Sequence, residues 1–172
     1  MTPPIRFALV GKSGAGKSSV GVRLSRLTGV DHVRTGVLCR QIAQTLFGNE
    51  AKSSTQALDD ALTAIDPSIF VRAALRPYGE HAGYVLDALR FNSDAILARE
   101  LGCRIIRVVA PDELRSARLR ARGQAFNPET DGLHRSETEL DAIDVDHELV
   151  NDGDLIRVDE MLSALLVKIP LA

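Results

Sequence analysis

Apolar residues recur along this chain in short runs, and stretches with a different, helical spacing separate one run from the next. A run of about four to eight apolar positions bounded by turn-forming residues is typical of a buried strand. On this basis we predict strands at residues 5–10, 30–34, 84–87, 104–109 and 147–150. Strands that alternate with helices indicate an α/β fold, with a parallel sheet of about five strands covered by helices on both faces.

Between the strands, apolar positions follow the three- and four-residue spacing of one helix face. The predicted buried stripes are Val20, Leu24 and Leu27; Leu38, Ile42 and Leu46; Leu58, Leu62 and Ile65; and, in a final helix, Val158, Leu162, Leu165 and Leu166. Two more helices are predicted, at 93–101 and from about 111 to 122. Ser54 and Ser136 are predicted N-caps, and Asp66-Pro67 is a predicted helix start. Helices follow one another through 35–77, which indicates a helical insert.

One motif stands directly after the first predicted strand. Residues 11–18, Gly-Lys-Ser-Gly-Ala-Gly-Lys-Ser, match G-x-x-x-x-G-K-[ST], a loop whose backbone N–H groups surround phosphate oxygens. In this motif Lys17 reaches the β- and γ-phosphates, Ser18 binds Mg²⁺, and the start of the following helix attracts anions. The alternative is a glycine-rich turn that binds nothing, but the strand before it and the helix after it favour the phosphate site. The predicted nucleotide-binding residues are Gly11, Ser13, Gly14, Ala15, Gly16, Lys17, Ser18 and Ser19.

Composition narrows the class of protein. The 172 residues suggest one domain, and 45% hydrophobic residues can form a sizeable core. A net charge of -2 gives no indication of nucleic-acid binding, and no apolar run is long enough to cross a membrane or to form a secretory signal. Cys39 and Cys103 lie far apart in the sequence, which predicts two free thiols and fits a reducing cytoplasm.

Two classes of protein share such a loop: switch GTPases, and kinases that phosphorylate a small acceptor. A GTPase should carry D-x-x-G after a strand and N-K-x-D later in the chain. Here the acid that ends the strand at 84–87 is followed by Ala88-Leu89-Arg90, and residues 151–154 lack the lysine. These differences argue against a switch GTPase.

Arginine residues favour the kinase. Phosphoryl transfer between two anionic substrates requires that both be held and their charge neutralised, and the planar guanidinium binds phosphate in a bidentate manner. The candidates are Arg40, Arg90, Arg122 and Arg135, although each could also lie on a solvated surface. Asp87, at a strand end beside the loop, either holds Mg²⁺ or caps the strand. Asp59, Asp60 and Asp66 are interpreted as a helix face and a cap.

Several segments resemble those of nucleoside and deoxynucleoside monophosphate kinases of the adenylate-kinase-like group. Thr35-Gly36-Val37-Leu38-Cys39-Arg40 is similar to that family's T-G-x-x-x-R segment, and Leu86 to Arg90 is similar to its D-G-x-x-R segment, with Ala88 in place of glycine. Residues 118–123 and 134–137 resemble the entry to and exit from the family's lid. Glu137 stands where the family has an R-x-D-D exit, which leaves the role of Glu137 open.

The resemblance implies a three-layer P-loop NTPase fold in one domain. Its core would comprise 1–34, 78–122 and 137–172, with an acceptor-binding insert at 35–77 and a short lid at 123–136. It implies ATP as donor with Mg²⁺ at Ser18 and Asp87, and acceptor binding by Thr35, Arg40, Asp87 and Arg90. Lys17, Arg122 and Arg135 would be catalytic.

The expected reaction is transfer of the ATP γ-phosphate to a (deoxy)nucleoside 5′-monophosphate, which needs no general base because the acceptor oxygen is already anionic. The alternatives are a kinase of another small acceptor, such as dephospho-coenzyme A, and a regulatory nucleotide-binding module without kinase activity. The expected partners are the small-molecule substrates, without nucleic acid or membrane, in a cytoplasmic monomer or homodimer.

Overall fold

A parallel β-sheet forms the centre of the protein. The structure, a computed structural model, describes residues 3–124, 127 and 129–168. Within these residues the sheet has five strands in the order β2-β3-β1-β4-β5, all parallel, and every predicted strand is confirmed. The strands are β1 (Arg6–Val10), β2 (Asp31–Arg34), β3 (Tyr84–Asp87), β4 (Arg104–Val109) and β5 (His147–Val150).

Helices cover both faces of this sheet. They are α1 (Lys17–Thr28), α2 (Thr35–Phe47), α3 (Lys52–Thr63), α4 (Ile69–Leu75), α5 (Asn92–Glu100), α6 (Asp112–Ala121), α7 (Arg135–Thr138) and α8 (Leu155–Lys168). Side chains alternate across β1, so that Phe7 and Leu9 pack with α1 and α8 while Ala8 and Val10 lie on the face that α5 covers. The predicted three-layer α/β architecture is therefore confirmed.

The strand order brings three strand ends together. β1 lies between β3 and β4, and β3 separates β1 from β2. In this register Asp87 is paired with Leu9 on one side and with Arg34 on the other. The loop after β1, the acid that ends β3 and the start of α2 after β2 thus meet at the carboxyl edge of the sheet, where open α/β sheets bind ligands.

Residues 35–77 contain α2, α3 and α4, in agreement with the predicted helical insert. This insert has a small apolar cluster of its own, formed by Cys39, Ala43, Leu58 and Phe70. The division into core, insert and lid remains a proposal, and positions 125, 126 and 128 of the predicted lid lie outside the described residues. None of the described helices combines the length and the apolarity that crossing a bilayer demands.

Three predicted helix starts are wrong in detail. α3 begins at Lys52 after Ala51, and the Ser54 hydroxyl instead donates to Asn49 Oδ1 at 2.7 Å. Asp66 and Pro67 form a turn before α4, in which the Asp66 carboxylate accepts from the Ser68 backbone N–H at 3.0 Å. The imidazole of His134 caps α7, because its Nδ1 accepts from the Ser136 backbone N–H at 3.1 Å. Local hydrogen bonds decide these ends.

The apolar stripes are correct except at their last members. Leu27, Leu46 and Ile65 are exposed, whereas Leu24 and Leu58 are buried. Each exposed residue lies at or just beyond the last turns of its helix, and no described element covers the helix there. Periodicity shows which face of a helix is apolar, but the length of the neighbouring layer decides how much of that face is buried.

Candidate active site

Polar side chains from other parts of the chain hydrogen-bond to the backbone of the glycine-rich loop. Arg115 Nε donates to the Ser13 carbonyl at 2.9 Å, and Asn151 Nδ2 donates to the Ala15 carbonyl, also at 2.9 Å. Gly14 has φ +80°, and a Cβ there would lie 2.6 Å from the carbonyl oxygen of Arg115, so glycine is required. The first-turn N–H groups of α1 have no partner within the helix, and Gly16 provides no side-chain cap. These features suit an anion cradle.

Lys17 lies across the mouth of this cradle. Its Nζ donates to the carbonyl oxygens of Gly11 at 2.5 Å and of Lys12 at 3.1 Å. Burial is the main cause that lowers the pKa of Lys17, although the nearby carboxylates of Asp87 and Glu137 oppose the shift. The carboxylates therefore offset only part of the cost of burying the ammonium charge, which favours binding of a phosphate beside it.

Asp87 and Ser18 lie side by side at the end of β3. The Ser18 hydroxyl donates to the Asp87 carboxylate, whose Oδ2 also contacts His32 Nε2 at 3.1 Å. Burial pushes the pKa of Asp87 upward, but the hydrogen bonds from His32 and Ser18, together with the charge of Lys17, outweigh burial and leave the pKa lowered. The carboxylate and the hydroxyl are the hard oxygen donors that Mg²⁺ prefers when substrate phosphates complete its coordination, so this pair fits the ion.

A cavity of about 630 Å³ extends from the loop to the insert. Its lining carries six cationic side chains, those of Lys17, Arg34, Arg40, Lys52, Arg90 and Arg122, and three carboxylates, those of Glu50, Asp87 and Glu137. The protein as a whole has a net charge of -2. Positive charge is thus concentrated in this cleft, which attracts anionic ligands.

Two guanidinium groups converge at the start of α2. A Cβ on Gly36 would lie 3.3 Å from Arg40 Nη1 and 3.4 Å from Arg90 Nη2. Burial lowers the pKa of Arg40, and the charges of Arg34 and Arg90 lower it further, whereas Glu50 opposes them at 3.7 Å. Two guanidinium groups therefore lie beside Gly36, with the charge of Arg34 close to Arg40, and guanidinium groups in this arrangement suit an anion.

Asp59, which was interpreted from the sequence as part of a helix face, is buried against Arg90. Its side chain is 1% exposed and both of its carboxylate oxygens accept from Arg90 Nη1, at 2.6 Å for Oδ1. Burial alone would lower the pKa of Arg90, and the Asp59 carboxylate reverses the shift. The sequence contains a signal for this. Thr55, Asp59 and Thr63 are spaced four residues apart, so they share one face of α3 beside Leu58. The structure shows that all three are buried.

The remaining predicted site residues divide between the cavity and its surroundings. Gly11, Ser13, Gly14, Thr35 and Arg122 line the cavity with the residues already described, whereas Ala15, Gly16 and Ser19 belong to the loop and first helical turn behind it. The hydroxyl of Thr35 makes two hydrogen bonds to the backbone of Ala88. It accepts from the Ala88 N–H at 3.1 Å and donates to the Ala88 carbonyl at 2.9 Å. Thr35 thus joins α2 to the end of β3.

Arg135 lies outside the cavity. Its Nε donates to Glu139 Oε1 at 2.9 Å, one turn away, and its guanidinium lies 4.4 Å from the ring centroid of Phe91. An ion pair at i,i+4 and an aromatic face together hold this side chain away from the phosphate loop. Arg118 does not line the cavity either, but it contacts the phosphate loop itself, because its Nη1 donates to the carbonyl oxygens of Gly14 and Ala15 at 3.3 Å.

Asp94 supports the segment that carries Arg90, and it gives the fold a pH dependence. The carboxylate accepts from the backbone N–H groups of Arg90 at 2.9 Å and Phe91 at 3.2 Å. Burial raises its pKa to about 6 in spite of these bonds. Because the folded protein holds this proton more tightly than the unfolded chain, the stabilisation is complete below about pH 4 and is lost as the pH rises through about 6, by up to about 3 kcal/mol.

We therefore expect Asp94→Asn to remove this part of the pH dependence, because asparagine keeps an oxygen acceptor and does not titrate. Urea unfolding at several values between about pH 4 and pH 7 measures the free energy of unfolding of both proteins. The difference between them should change across that interval. Parallel pH profiles for the two proteins would contradict the assignment.

Similarity to known proteins extends over most of the chain. A family model described as AAA domain matches residues 8–140. Adenylate kinase 1 from Synechocystis sp. is 35% identical over 133 residues, which cover 70% of this chain and 70% of that protein. A cytidylate kinase from Bradyrhizobium sp. is 34% identical over 95 residues, 54% of this chain and 44% of that protein, so the match spans less than half of that relative.

Solved structures show the same fold at much lower identity. A gluconokinase from Sinorhizobium meliloti superposes with a TM-score of 0.65 at 17% identity, covering 98% of this chain and 94% of that one. A shikimate kinase from Acinetobacter baumannii, in complex with shikimate, superposes with a TM-score of 0.64 at 14% identity, covering 98% and 96%. At such low identity this likeness supports the architecture alone and does not extend to the reaction or the substrate.

Proposed function

The chain belongs to the AAA domain family, and from that premise we propose that this P-loop kinase transfers the γ-phosphate of ATP to a (deoxy)nucleoside 5′-monophosphate. The observation that carries the proposal is the presence of two groups of cations in one cavity. The loop with Lys17 forms the first site, and the guanidinium groups of Arg40 and Arg90 form the second. Two groups of cations in one cavity suit a reaction in which donor and acceptor are both anions.

The residues around the first site would hold the donor. The backbone of residues 11–18 and Lys17 bind the β- and γ-phosphates, and Ser18 and Asp87 hold Mg²⁺, which supplies charge neutralisation on the phosphate chain. Arg122, at the edge of the cavity after α6, is close to the predicted lid at 123–136 and adds a cation there. Arg135 lies outside the cavity in this structure, against Glu139 and Phe91.

The residues of the insert would hold the acceptor. Arg40 and Arg90 bind its phosphate, and Asp59 keeps Arg90 in place. An oxygen of the acceptor phosphate then forms a bond to the γ-phosphorus while the bond from that phosphorus to the β,γ-bridging oxygen breaks, and ADP leaves with the electron pair. No proton has to be removed, because the attacking oxygen is already ionised. We assign 35–77 to acceptor binding on these grounds.

Incubation with ATP, Mg²⁺ and single acceptors tests the proposal directly. We expect ADP to form only when one or a few nucleoside monophosphates are present, in equal amount with the corresponding diphosphate. Chromatography of all nucleotides measures both products, and dephospho-coenzyme A and an acceptor-free sample complete the panel. ADP formed at the same rate without acceptor indicates an ATPase, and phosphorylation of dephospho-coenzyme A alone indicates a different kinase. Either result, or no ADP in any sample, would refute the proposal.

Arg40→Ala tests the acceptor site. Loss of one charged hydrogen bond, worth about 1.5–3 kcal/mol, should raise the KM for the acceptor about 10- to 100-fold and leave the KM for ATP unchanged. Equal effects on both substrates would contradict a role of Arg40 in acceptor binding.

A further inference from the structure

A lysine of the insert reaches the phosphate loop. Lys52 is the first residue of α3, and its Nζ lies 3.1 Å from Glu137 Oε1 and 3.4 Å from Ser13 Oγ. Glu137 in turn accepts from the Ser13 backbone N–H at 3.0 Å and from the Ser13 hydroxyl. The insert, the segment after the predicted lid and the loop therefore meet at three side chains that all line the cavity.

The placement of Lys52 is unfavourable for the helix that carries it. The N-terminal end of a helix has a positive partial charge, so a cation in the first turn is repelled, and the first turn of α3 contains no acidic residue. The side chain of Lys52 is 25% exposed, and Lys52 lines the cavity. An ammonium group has three donors, and the contacts within the described residues use two of them. The third is available to a ligand in the cavity.

Lys52 and Lys17 face the same space. The charge of Lys52 lowers the pKa of Lys17, and the carboxylate of Glu137 raises it, so the three charged groups are close together. Glu137 itself is 5% exposed; burial would raise its pKa, but the charge of Lys52 and the two hydrogen bonds of Ser13 leave it lowered. A buried carboxylate of this kind fixes the position of its cation.

The rest of α3 holds Lys52 at the loop. One turn further along, Gln56 Nε2 donates to the Asp131 carbonyl at 3.0 Å. One turn beyond that, Asp60 Oδ2 contacts His134 Nε2 at 3.1 Å. These contacts repeat at i+4 and i+8 from Lys52, so one face of α3 follows the segment 131–137 and directs the start of the helix toward the P-loop.

We propose that Lys52 binds the terminal phosphate of the donor together with Lys17, and that Glu137 is a positioning residue that holds Lys52 there. The inference rests on the proposed function only in taking ATP as the donor. Charge that develops on the transferring phosphoryl group is then shared by a lysine of the loop and a lysine of the acceptor-binding insert.

Titration calorimetry with the β,γ-imido analogue of ATP and with ADP, both with Mg²⁺, tests this inference without an acceptor. Lys52→Ala should weaken binding of the ATP analogue about 10- to 100-fold, the effect of one charged hydrogen bond, and leave binding of ADP unchanged. Lys168→Ala, an exposed lysine at the end of α8, is the matched control and should change neither. Equal losses for both nucleotides, or no loss for the ATP analogue, would overturn the inference.

A double-mutant cycle tests Glu137. If Glu137 acts through Lys52, Glu137→Ala should reduce the preference for the ATP analogue over ADP, and the double variant Lys52→Ala/Glu137→Ala should be no worse than Lys52→Ala. Glu137→Gln, whose amide oxygen still accepts, should retain part of the preference. Additive losses would show that Glu137 acts independently and would overturn its assigned role. Because no acceptor is present, these results stand even if every nucleoside monophosphate proves inactive as an acceptor.

Discussion

Replacement of Lys17 by alanine is expected to lower kcat by about 10³-fold while the protein remains folded. The ammonium group crosses the loop at Gly11 and Lys12, where the β- and γ-phosphates of a donor would lie. Its loss removes charge stabilisation that grows as the phosphoryl group is transferred. Initial rates at saturating ATP and acceptor measure the effect, and thermal unfolding measures the fold.

Two variants make the Lys17 result specific. Lys17→Arg keeps the charge but not the compact shape of an ammonium group, so we expect it to recover little activity. Lys168→Ala should keep full activity. The midpoint of unfolding of Lys17→Ala should stay close to that of the unchanged protein, because the substitution removes a buried cation and opens the Gly11 and Lys12 carbonyls to water that enters the cavity. A Lys17→Ala enzyme with full kcat would contradict the assigned role.

The sheet could be predicted from the sequence because its signals are local. β3, β4 and β5 were predicted with the bounds that the structure shows. Each is a short apolar or mixed segment flanked by turn-forming residues, and neither its burial nor its direction depends on a particular distant side chain. The loop at 11–18 is recognisable for the same reason, since its function resides in consecutive backbone groups.

The ion pairs between the insert and the core could not be predicted in this way. Asp59 and Arg90 are 31 positions apart in sequence, and Lys52 and Glu137 are 85 positions apart. Each pair forms because the insert packs on the core. The spacing of residues along the sequence does not predict how these two parts pack. Arg135 shows the converse, because a local partner, Glu139, and the ring of Phe91 hold a side chain that sequence order had assigned to the site.

These pairs also indicate how one cleft can hold two substrates of like charge. Two cations of the cavity, Lys17 and Lys52, are each close to a carboxylate, and Arg90 is paired with Asp59. Paired cations are held in position before any ligand arrives. Their carboxylates also reduce the mutual repulsion of the cations. The cavity can therefore hold its cations in fixed positions and still keep a positive potential for its ligands.

The second large effect is expected for Arg90→Met. The side chain of Arg90 is 22% exposed and that of Asp59 is 1% exposed, so removal of the guanidinium leaves a carboxylate buried without its counter-ion. We expect the free energy of unfolding to fall by about 3–5 kcal/mol, which corresponds to about 10 °C in Tm. The KM for the acceptor should also rise, since Arg90 is assigned to its phosphate. Urea unfolding and steady-state kinetics measure the two effects.

A second substitution separates stability from binding. In Arg90→Met/Asp59→Asn the buried charge is gone, and an amide remains to accept the weak hydrogen bond that Cys39 Sγ donates to Asp59 Oδ1 at 3.7 Å. We expect most of the lost stability to return, because replacing both members of a buried ion pair by neutral groups costs far less than removing one. The KM for the acceptor should stay high, since no guanidinium has been restored. If the acceptor KM recovered together with stability, Arg90 would serve only to neutralise Asp59, and the acceptor phosphate would have to be bound by Arg40 and Arg34 alone.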